Sequence, residues 1–243
     1  MYKINKTAQL TKYLVENTTK KIRPTLLILP GGAYMYTSPR EAKPVATAFN
    51  AGGIHAFVLE YTTYDKNQKT TVDQMIGEVK AAYDYIISNA QEFQIDINKI
   101  YIIGFSAGGH LAAEVINKYP HLFARAILAY PALNLNIDER NQAGEEFEFI
   151  IKMFKNNPTN QITKDNPPVF IWHTVEDETV PIIGSIEYIK KLEELKIPYE
   201  AHFYETGQHG LSVANEITAE EDGTRMDMHA ATWVNLAINW LLK

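Results

Sequence analysis

Short apolar segments alternate with longer segments of helical periodicity along most of the chain. The apolar segments are hydrophobic throughout, which is typical of strands that are covered on both faces of a sheet. They occupy residues 25–30, 54–62, 99–105, 124–132, 167–174 and 199–205. This alternation predicts an α/β fold with a mostly parallel central sheet, right-handed helical crossovers and helices on both faces.

The segments between the predicted strands place apolar residues three and four positions apart, as helices that pack on a sheet require. The longest predicted helix covers residues 72–93, and others cover residues 40–51, 181–197 and 229–243. No internal repeat and no linker-like tract divides the chain. We therefore expect a single α/β domain over residues 1–243.

Residues 134–166 interrupt the alternation. They are polar, carry several Asn and Glu residues, and contain one short apolar pattern at residues 147–154. Connections of this length are uncommon unless they have a function. We expect a small helical cap over the carboxyl ends of the strands, where open α/β sheets place their sites. The alternative is a surface excursion with one packed helix.

Composition and charge exclude several classes of function. The formal net charge is −6 and the basic clusters are short, which argues against a nucleic-acid partner. The absence of cysteine excludes disulfides and thiolate metal sites. No segment approaches the length of a membrane span, and the N-terminal segment lacks the apolar core of a signal peptide. We expect no membrane association and a cytoplasmic location, with a homodimer among the options for assembly.

Residues 104–108 have the form Gly-x-Ser-x-Gly and lie between a predicted strand and a predicted helix. This context is typical of a nucleophile elbow, in which a strained turn projects the serine hydroxyl above the sheet. Glycines on both sides of Ser106 leave the room that such a turn needs. The alternatives are a glycine-rich turn with an ordinary serine and a phosphate-binding loop, whose motifs the segment does not match.

A serine hydroxyl is a weak nucleophile until a positioned base takes its proton. Among the seven histidines, His209 follows the last predicted strand and is flanked by glycines, so its loop can reach the serine. Asp177, after the penultimate strand, is the favoured acid to orient that histidine, with Glu176 and Glu178 as alternatives. Packing explains the histidines in or at the ends of strands more simply: His55, His173 and His202.

Acyl transfer also requires amides that stabilise the negative charge on the carbonyl oxygen. The turn after the first of the predicted strands offers the amides of Gly32 and Ala33, and the elbow offers that of Ala107. A simple Gly-Gly turn is the alternative. Three tyrosines at or after strand ends are candidates for the wall of a substrate pocket, with core packing as an equal alternative: Tyr34, Tyr61 and Tyr130.

From about residue 20 to the C-terminus the chain resembles the α/β-hydrolase esterases. It is most similar to the acetyl esterases that include acetylxylan and bifunctional acetylxylan/feruloyl esterases. The similar segments are residues 30–34, 104–110, 177–181 and 209–212, with Trp233 and Trp240. Ser106, Asp177 and His209 follow one another in the α/β-hydrolase order. Related esterases often carry His-Gly-Gly-Gly at the place of residues 30–33. This chain has Pro30 instead of the histidine and Ala33 instead of the third glycine.

The resemblance implies an α/β-hydrolase fold and a serine carboxylesterase that acts on short-chain acyl esters through an acyl-enzyme. O-acetylated sugars or oligosaccharides are the substrates that it suggests, with a small-molecule ester as the partner. It implies no cofactor and no metal. The alternatives are a serine peptidase or amidase of the same fold and a non-catalytic small-molecule binder.

Overall fold

An eight-stranded sheet forms the centre of the computed structural model, which describes residues 1–16, 21–135 and 144–243. The strands are β1 (Tyr2–Lys3), β2 (Gln9–Tyr13), β3 (Arg23–Leu29), β4 (His55–Glu60), β5 (Ile95–Phe105), β6 (Arg125–Ala129), β7 (Val169–Thr174) and β8 (Tyr199–Tyr204). They are ordered β1-β2-β4-β3-β5-β6-β7-β8 across the sheet. β1 and β2 are antiparallel to their neighbours, and all other pairs are parallel. The predicted mostly parallel sheet is confirmed.

Helices cover both faces of this sheet. Those described are α1 (Lys43–Ala51), α2 (Val72–Ser88), α3 (Ala90–Phe93), α4 (Ala107–Lys118), α5 (Glu145–Met153), α6 (Ile183–Leu195) and α7 (Trp233–Leu242). Alternate residues of β3 face different layers: Leu27 and Leu29 pack in the layer of α2, α4 and α6, whereas Leu26 and Ile28 pack in that of α1 and α7. Burial on both faces explains why the strands are hydrophobic throughout. No helix in the described ranges is both long enough and apolar enough to cross a membrane.

The helices of the structure are shorter than the four predicted ones, and two of the predicted segments also differ in how they are built. The segment 72–93 forms two helices, because the chain breaks at Asn89, whose side-chain amide donates to the Tyr85 carbonyl at 2.7 Å. The segment 40–51 begins as a 3₁₀ turn at Pro39–Glu41, and α1 starts only at Lys43. Pro44 lacks an amide proton and is favoured in the first turn of a helix, which fixes this start.

Part of the predicted cap, residues 136–143, lies outside the described residues. The remainder contains α5 and a 3₁₀ turn at Pro158–Gln161. The ring of Phe149 lies 4.8 Å from that of Tyr64, and the ring of Phe154 lies 5.1 Å from that of Tyr34. These contacts attach the segment to loops that follow the carboxyl ends of β3 and β4.

The turn from β5 into α4 takes place at a single residue, Ser106, which has φ 51° and ψ −118°. A Cβ at Gly104 would overlap the Gly108 carbonyl, and a Cβ at Gly108 would overlap the carbonyls of Leu29 and Pro30. The helix and the two central strands therefore approach each other so closely that only glycine fits at either position.

We expect Gly108→Ala to lower the free energy of unfolding by about 3 kcal/mol or to prevent folding, because backbone atoms of β3 would have to move. A Cβ added at Gly77, in the middle of α2, would meet no neighbouring atom within 4 Å. Gly77→Ala is therefore a matched control and should raise stability by about 0.5 to 1 kcal/mol. Urea unfolding followed by circular dichroism measures both, and an equal effect of the two substitutions would contradict this account.

Candidate active site

Three side chains that are far apart in the sequence meet at the carboxyl edge of the sheet. Ser106 follows β5, Asp177 follows β7 and His209 follows β8. Ser106 Oγ is 2.8 Å from His209 Nε2, and His209 Nδ1 is 2.6 Å from Asp177 Oδ2. Both distances are hydrogen bonds of the kind that links a nucleophile, a base and the group that orients the base.

The Asp177 side chain is completely buried. Its Oδ1 accepts hydrogen bonds from the amides of Thr179 at 3.0 Å and Val180 at 2.8 Å. Burial by itself raises the pKa of Asp177, but hydrogen bonds from His173 and His209 and from the Val180 amide outweigh it, so the pKa lies well below its usual range. Asp177 is therefore an ionised carboxylate next to the histidine.

The glutamates on either side of Asp177 do not make this contact. Both are exposed, and Glu176 Oε2 accepts a hydrogen bond from the Gly207 amide at 3.1 Å. Among the three acidic residues that the sequence offers here, the structure brings Asp177 to the histidine.

A second histidine also contacts Asp177, although its position at the end of a strand by itself predicts only a packing residue. His173 Nε2 lies 2.9 Å from the Val180 carbonyl and 3.2 Å from Asp177 Oδ2, and its Nδ1 lies 2.8 Å from Ser185 Oγ. Because a carbonyl can only accept, Nε2 carries a proton and can also donate to the carboxylate. Its position at the end of a strand, four residues before Asp177, is the signal that could have identified it.

In the turn after β3, two amide N–H groups point away from the hydrogen bonds that the turn makes within itself. The Gly31 carbonyl accepts from the Ser38 amide at 2.9 Å, and the Gly32 carbonyl accepts from the Met35 amide at 2.8 Å. In a trans peptide the N–H points opposite to the carbonyl that precedes it. The amides of Gly32 and Ala33 therefore point away from residues 35–38, and both residues line the cavity at Ser106.

The elbow supplies the third candidate amide. The Ser106 carbonyl accepts from the amides of His110 and Ala132, both at 3.0 Å. The Ala107 N–H points in the opposite direction, and as the first amide of α4 it has no acceptor within the helix. The N-terminal end of a helix also carries a partial positive charge, which favours a negative oxygen nearby.

A cavity of about 340 Å³ opens at Ser106 and His209. Its wall includes Met35, Val180, Leu135, Ile150 and Phe154, and the last three come from the predicted cap segment. The cap segment therefore contributes one apolar side of the cavity. Besides Ser106 and His209, the wall includes polar groups of Ser38, Arg40, Glu41, Thr179 and Arg225 and the turn at residues 32–33.

The three tyrosines suggested for the pocket lie behind its wall. All are buried, and none lines the cavity. The Tyr34 hydroxyl is 2.7 Å from His110 Nδ1, and the Tyr61 hydroxyl donates to the Pro30 carbonyl at 2.6 Å. Tyr130 Oη donates to Glu41 Oε1 at 2.6 Å. Because each hydroxyl has an internal partner, the core-packing alternative describes these residues.

An aromatic residue outside the three sequence candidates does line the cavity. Tyr36 is 54% exposed and lies two residues after Tyr34.

Among the residues that the structure describes, no cluster of three or more histidine or acidic side chains could hold a metal ion.

The family model described as BD-FAE matches residues 10–119. The crystal structure of a sugar hydrolase from Lactococcus lactis superposes with a TM-score of 0.90 at 36% sequence identity, and the match covers 99% of this chain and 96% of that one. The chain belongs to the α/β-hydrolase esterases.

Two curated relatives of this α/β-hydrolase esterase are longer proteins. Endo-1,4-beta-xylanase B of Butyrivibrio fibrisolvens is 30% identical over 217 residues, which are 80% of this chain and 33% of the relative. The acetylxylan esterase of Xylanibacter ruminicola is 26% identical over 218 residues, which are 84% of this chain and 44% of the relative. The esterase chain thus spans between a third and a half of the length of these relatives.

Beneath the cap segment, the esterase buries an ionisable side chain that lies outside the Ser106–His209–Asp177 set. His110 is on α4, its ring lies 5.0 Å from that of Phe154, and its Nε2 is 3.2 Å from the Asn156 carbonyl. Burial lowers the pKa of His110 from the ordinary 6.5 to about 4, although the Asn156 carbonyl acts in the opposite direction.

This lowered pKa makes the stability of the esterase depend on pH. Between about pH 6.5 and pH 4 the unfolded chain binds more protons at His110 than the folded chain, so stability falls as the pH falls. The loss from this residue is at most about 3 kcal/mol. His110→Gln should flatten the pH dependence of urea unfolding between pH 7 and pH 4.5. The pKa of His55 is lowered too, so both proteins keep some pH dependence. The test is therefore the difference between the curves of the wild type and of His110→Gln, and parallel curves would refute the assignment to His110.

Proposed function

We propose that this protein is a serine carboxylesterase that hydrolyses short-chain acyl esters through an acyl-enzyme. The observation that carries the proposal is the hydrogen bond of 2.8 Å between Ser106 Oγ and His209 Nε2, with Asp177 on the other side of the imidazole. Family membership, the elbow and the adjoining cavity support the same reaction.

In the proposed reaction, His209 takes the hydroxyl proton while Ser106 Oγ attacks the carbonyl carbon of the ester. Asp177 stabilises the imidazolium that forms and holds the ring in the tautomer that accepts at Nε2. The tetrahedral oxyanion accepts hydrogen bonds from the candidate amides of Gly32, Ala33 and Ala107.

The imidazolium then gives its proton to the leaving alcohol, and the acyl group remains as an ester on Ser106. Water attacks this ester with His209 again as the base. The carboxylic acid leaves, and the serine hydroxyl is restored. Each proton taken by His209 is returned within the cycle, so the steps balance without a cofactor or a metal.

O-acetylated sugars or oligosaccharides are the substrate class that we propose. The acetylxylan esterase and the sugar hydrolase among the relatives support this class. Within this structure, the support is a cavity of modest volume with one apolar side next to Ser106 and an exposed tyrosine on its wall. The first would take a small acyl group, and the second offers an aromatic face to a sugar ring.

Substitution of the proposed triad should abolish ester hydrolysis without unfolding the protein. With p-nitrophenyl acetate, we expect Ser106→Ala to be inactive and Asp177→Asn to lose about 10⁴-fold in kcat, because the imidazole would adopt the wrong tautomer. A fluorophosphonate probe should label the wild-type protein at Ser106 and leave Ser106→Ala unlabelled. Ser38→Ala, which alters another serine of the cavity wall, is the control and should be labelled normally.

Two results would contradict the proposed reaction. One is a label that maps to a serine other than Ser106, and the other is an Asp177→Asn variant with the activity of the wild type.

A comparison of p-nitrophenyl acetate, butyrate and octanoate tests acyl length, and a preference for octanoate would contradict the short-acyl part. An aminoacyl-amide substrate that is cleaved faster than these esters would indicate an amidase.

Tyr36→Ala should weaken binding of acetylated xylo-oligosaccharides and leave p-nitrophenyl acetate unaffected. We expect a rise in KM of about fivefold to tenfold for the sugar ester, since an aromatic contact contributes about 1 kcal/mol. Tyr36→Phe retains the ring and is the matched control. Release of acetate, measured by mass spectrometry, gives the rates, and an equal change with both substrates would refute a role in sugar binding.

A further inference from the structure

Glu41 is a buried acidic residue in the wall of the cavity, at the end of the 3₁₀ turn that precedes α1. Its Oε2 accepts a hydrogen bond from the Gly31 amide at 2.7 Å, and its Oε1 accepts one from the Tyr130 hydroxyl at 2.6 Å. A buried carboxylate is costly unless donors satisfy both oxygens. Glu41 meets this requirement with donors from two different loops.

The first of these loops carries two of the candidate oxyanion amides. A Cβ at Gly31 would lie 2.9 Å from Glu41 Oε2 and 2.9 Å from Ser106 Cβ, so the carboxylate and the serine both pack closely against this glycine. The next residues of the loop have strained backbones, with φ 52° at Ala33 and 63° at Tyr34. Such conformations persist only where neighbouring contacts determine them.

The second of these loops follows β6 and contacts the loop after β8, which carries His209. Tyr130, which donates to Glu41, also accepts a hydrogen bond from the Ser212 amide at 2.9 Å. Its ring contacts that of His209 edge to face, with the centroids 5.2 Å apart. Burial, followed by the negative charge of Glu41, raises the pKa of Tyr130 well above its ordinary value, so the hydroxyl keeps its proton and remains a donor.

The backbone next to Glu41 reaches the same loop. The Arg40 carbonyl accepts from Ser212 Oγ at 2.6 Å, and Arg40 Nη1 donates to the Gly210 carbonyl at 2.8 Å. Ser212 itself has φ 56°. Residues 40 and 41 therefore connect the turn after β3 with the loop after β8 through hydrogen bonds to both.

We propose that Glu41 is a positioning residue that fixes the candidate oxyanion amides relative to His209. This inference rests on the proposed serine esterase function. Oxyanion donors act at about 2.7 to 3.1 Å from the oxyanion, and a misplacement of about 1 Å costs up to about 100-fold in rate. A carboxylate suits the role because it presents two acceptors to two donors. A glutamine would turn an NH₂ group towards either the Gly31 amide or the Tyr130 hydroxyl.

The test compares Glu41→Gln and Tyr130→Phe with the wild-type protein. Thr25→Val is the control, because Thr25 is buried in β3 and its hydroxyl has no hydrogen-bond partner among the described residues. The readouts are kcat and KM for p-nitrophenyl acetate, and the affinity for a trifluoromethyl ketone, which forms a tetrahedral oxyanion on the serine. Titration with a fluorophosphonate gives the concentration of folded active sites.

We expect Glu41→Gln to lower kcat by about 10-fold to 100-fold, with KM within about threefold of the wild-type value. The affinity for the trifluoromethyl ketone should fall by the same factor as kcat/KM, a correlation that a purely structural role would not produce. Tyr130→Phe should lower kcat less, because Glu41 keeps its bond to Gly31. In the double variant the losses should be less than additive in free energy, since both substitutions act on the same network of hydrogen bonds around Glu41. Thr25→Val should leave all of these values unchanged.

A folded Glu41→Gln protein with the kcat and ketone affinity of the wild type would overturn the inference. If Glu41→Gln does not fold, Tyr130→Phe decides, and a wild-type kcat there would likewise overturn it. Failure of the wild-type protein to hydrolyse any ester, or to be labelled at Ser106, would overturn the proposed function instead. The two failures are therefore distinguishable.

Discussion

The close packing of α4 against the ends of β5 and β3 determines the rest of the site. It forces the chain to change from strand to helix at one residue, Ser106, and it excludes every side chain at Gly104 and Gly108. The serine then lies at the carboxyl edge of a parallel sheet, and the loops after β7 and β8 end at the same edge. Convergence of the three side chains follows from this geometry and from the order of the strands.

Backbone strain is concentrated around the cavity. The residues with positive φ in its loops include Ala33, Tyr34, Ser106, Tyr130 and Ser212. Each such conformation costs about 1 to 3 kcal/mol, and buried hydrogen bonds must compensate for it. Glu41 and Asp177 provide many of these bonds, since each carboxylate accepts from more than one loop or turn. Of the two buried acids, Asp177 lies beside His209, and Glu41 lies between Tyr130 and the turn after β3.

Several parts of the fold and site could be predicted because their signals are local. Continuous hydrophobicity predicts β3, β4 and β7, and the glycines around Ser106 predict the elbow. The break of the longest helix at Asn89 could not be predicted, since its apolar stripe continues beyond that residue. His173 and Glu41 were missed for a different reason. Each is an ordinary residue in its own segment, and its importance depends on partners supplied by other loops.

The sequence by itself determined the alternation of strands and helices, the elbow at Ser106 and the chain order of Ser106, Asp177 and His209. The alternation and the elbow depend on short-range sterics and hydrophobic periodicity, which neighbouring residues determine, and the chain order is given by the sequence directly. Only the tertiary structure decided that Asp177 rather than a neighbouring glutamate meets His209, that Tyr34, Tyr61 and Tyr130 lie behind the cavity, and that Glu41 joins two loops. Those outcomes depend on hydrogen bonds of about 3 Å or less between segments separated by tens of residues, and such distances are fixed only when the sheet and its helices have packed.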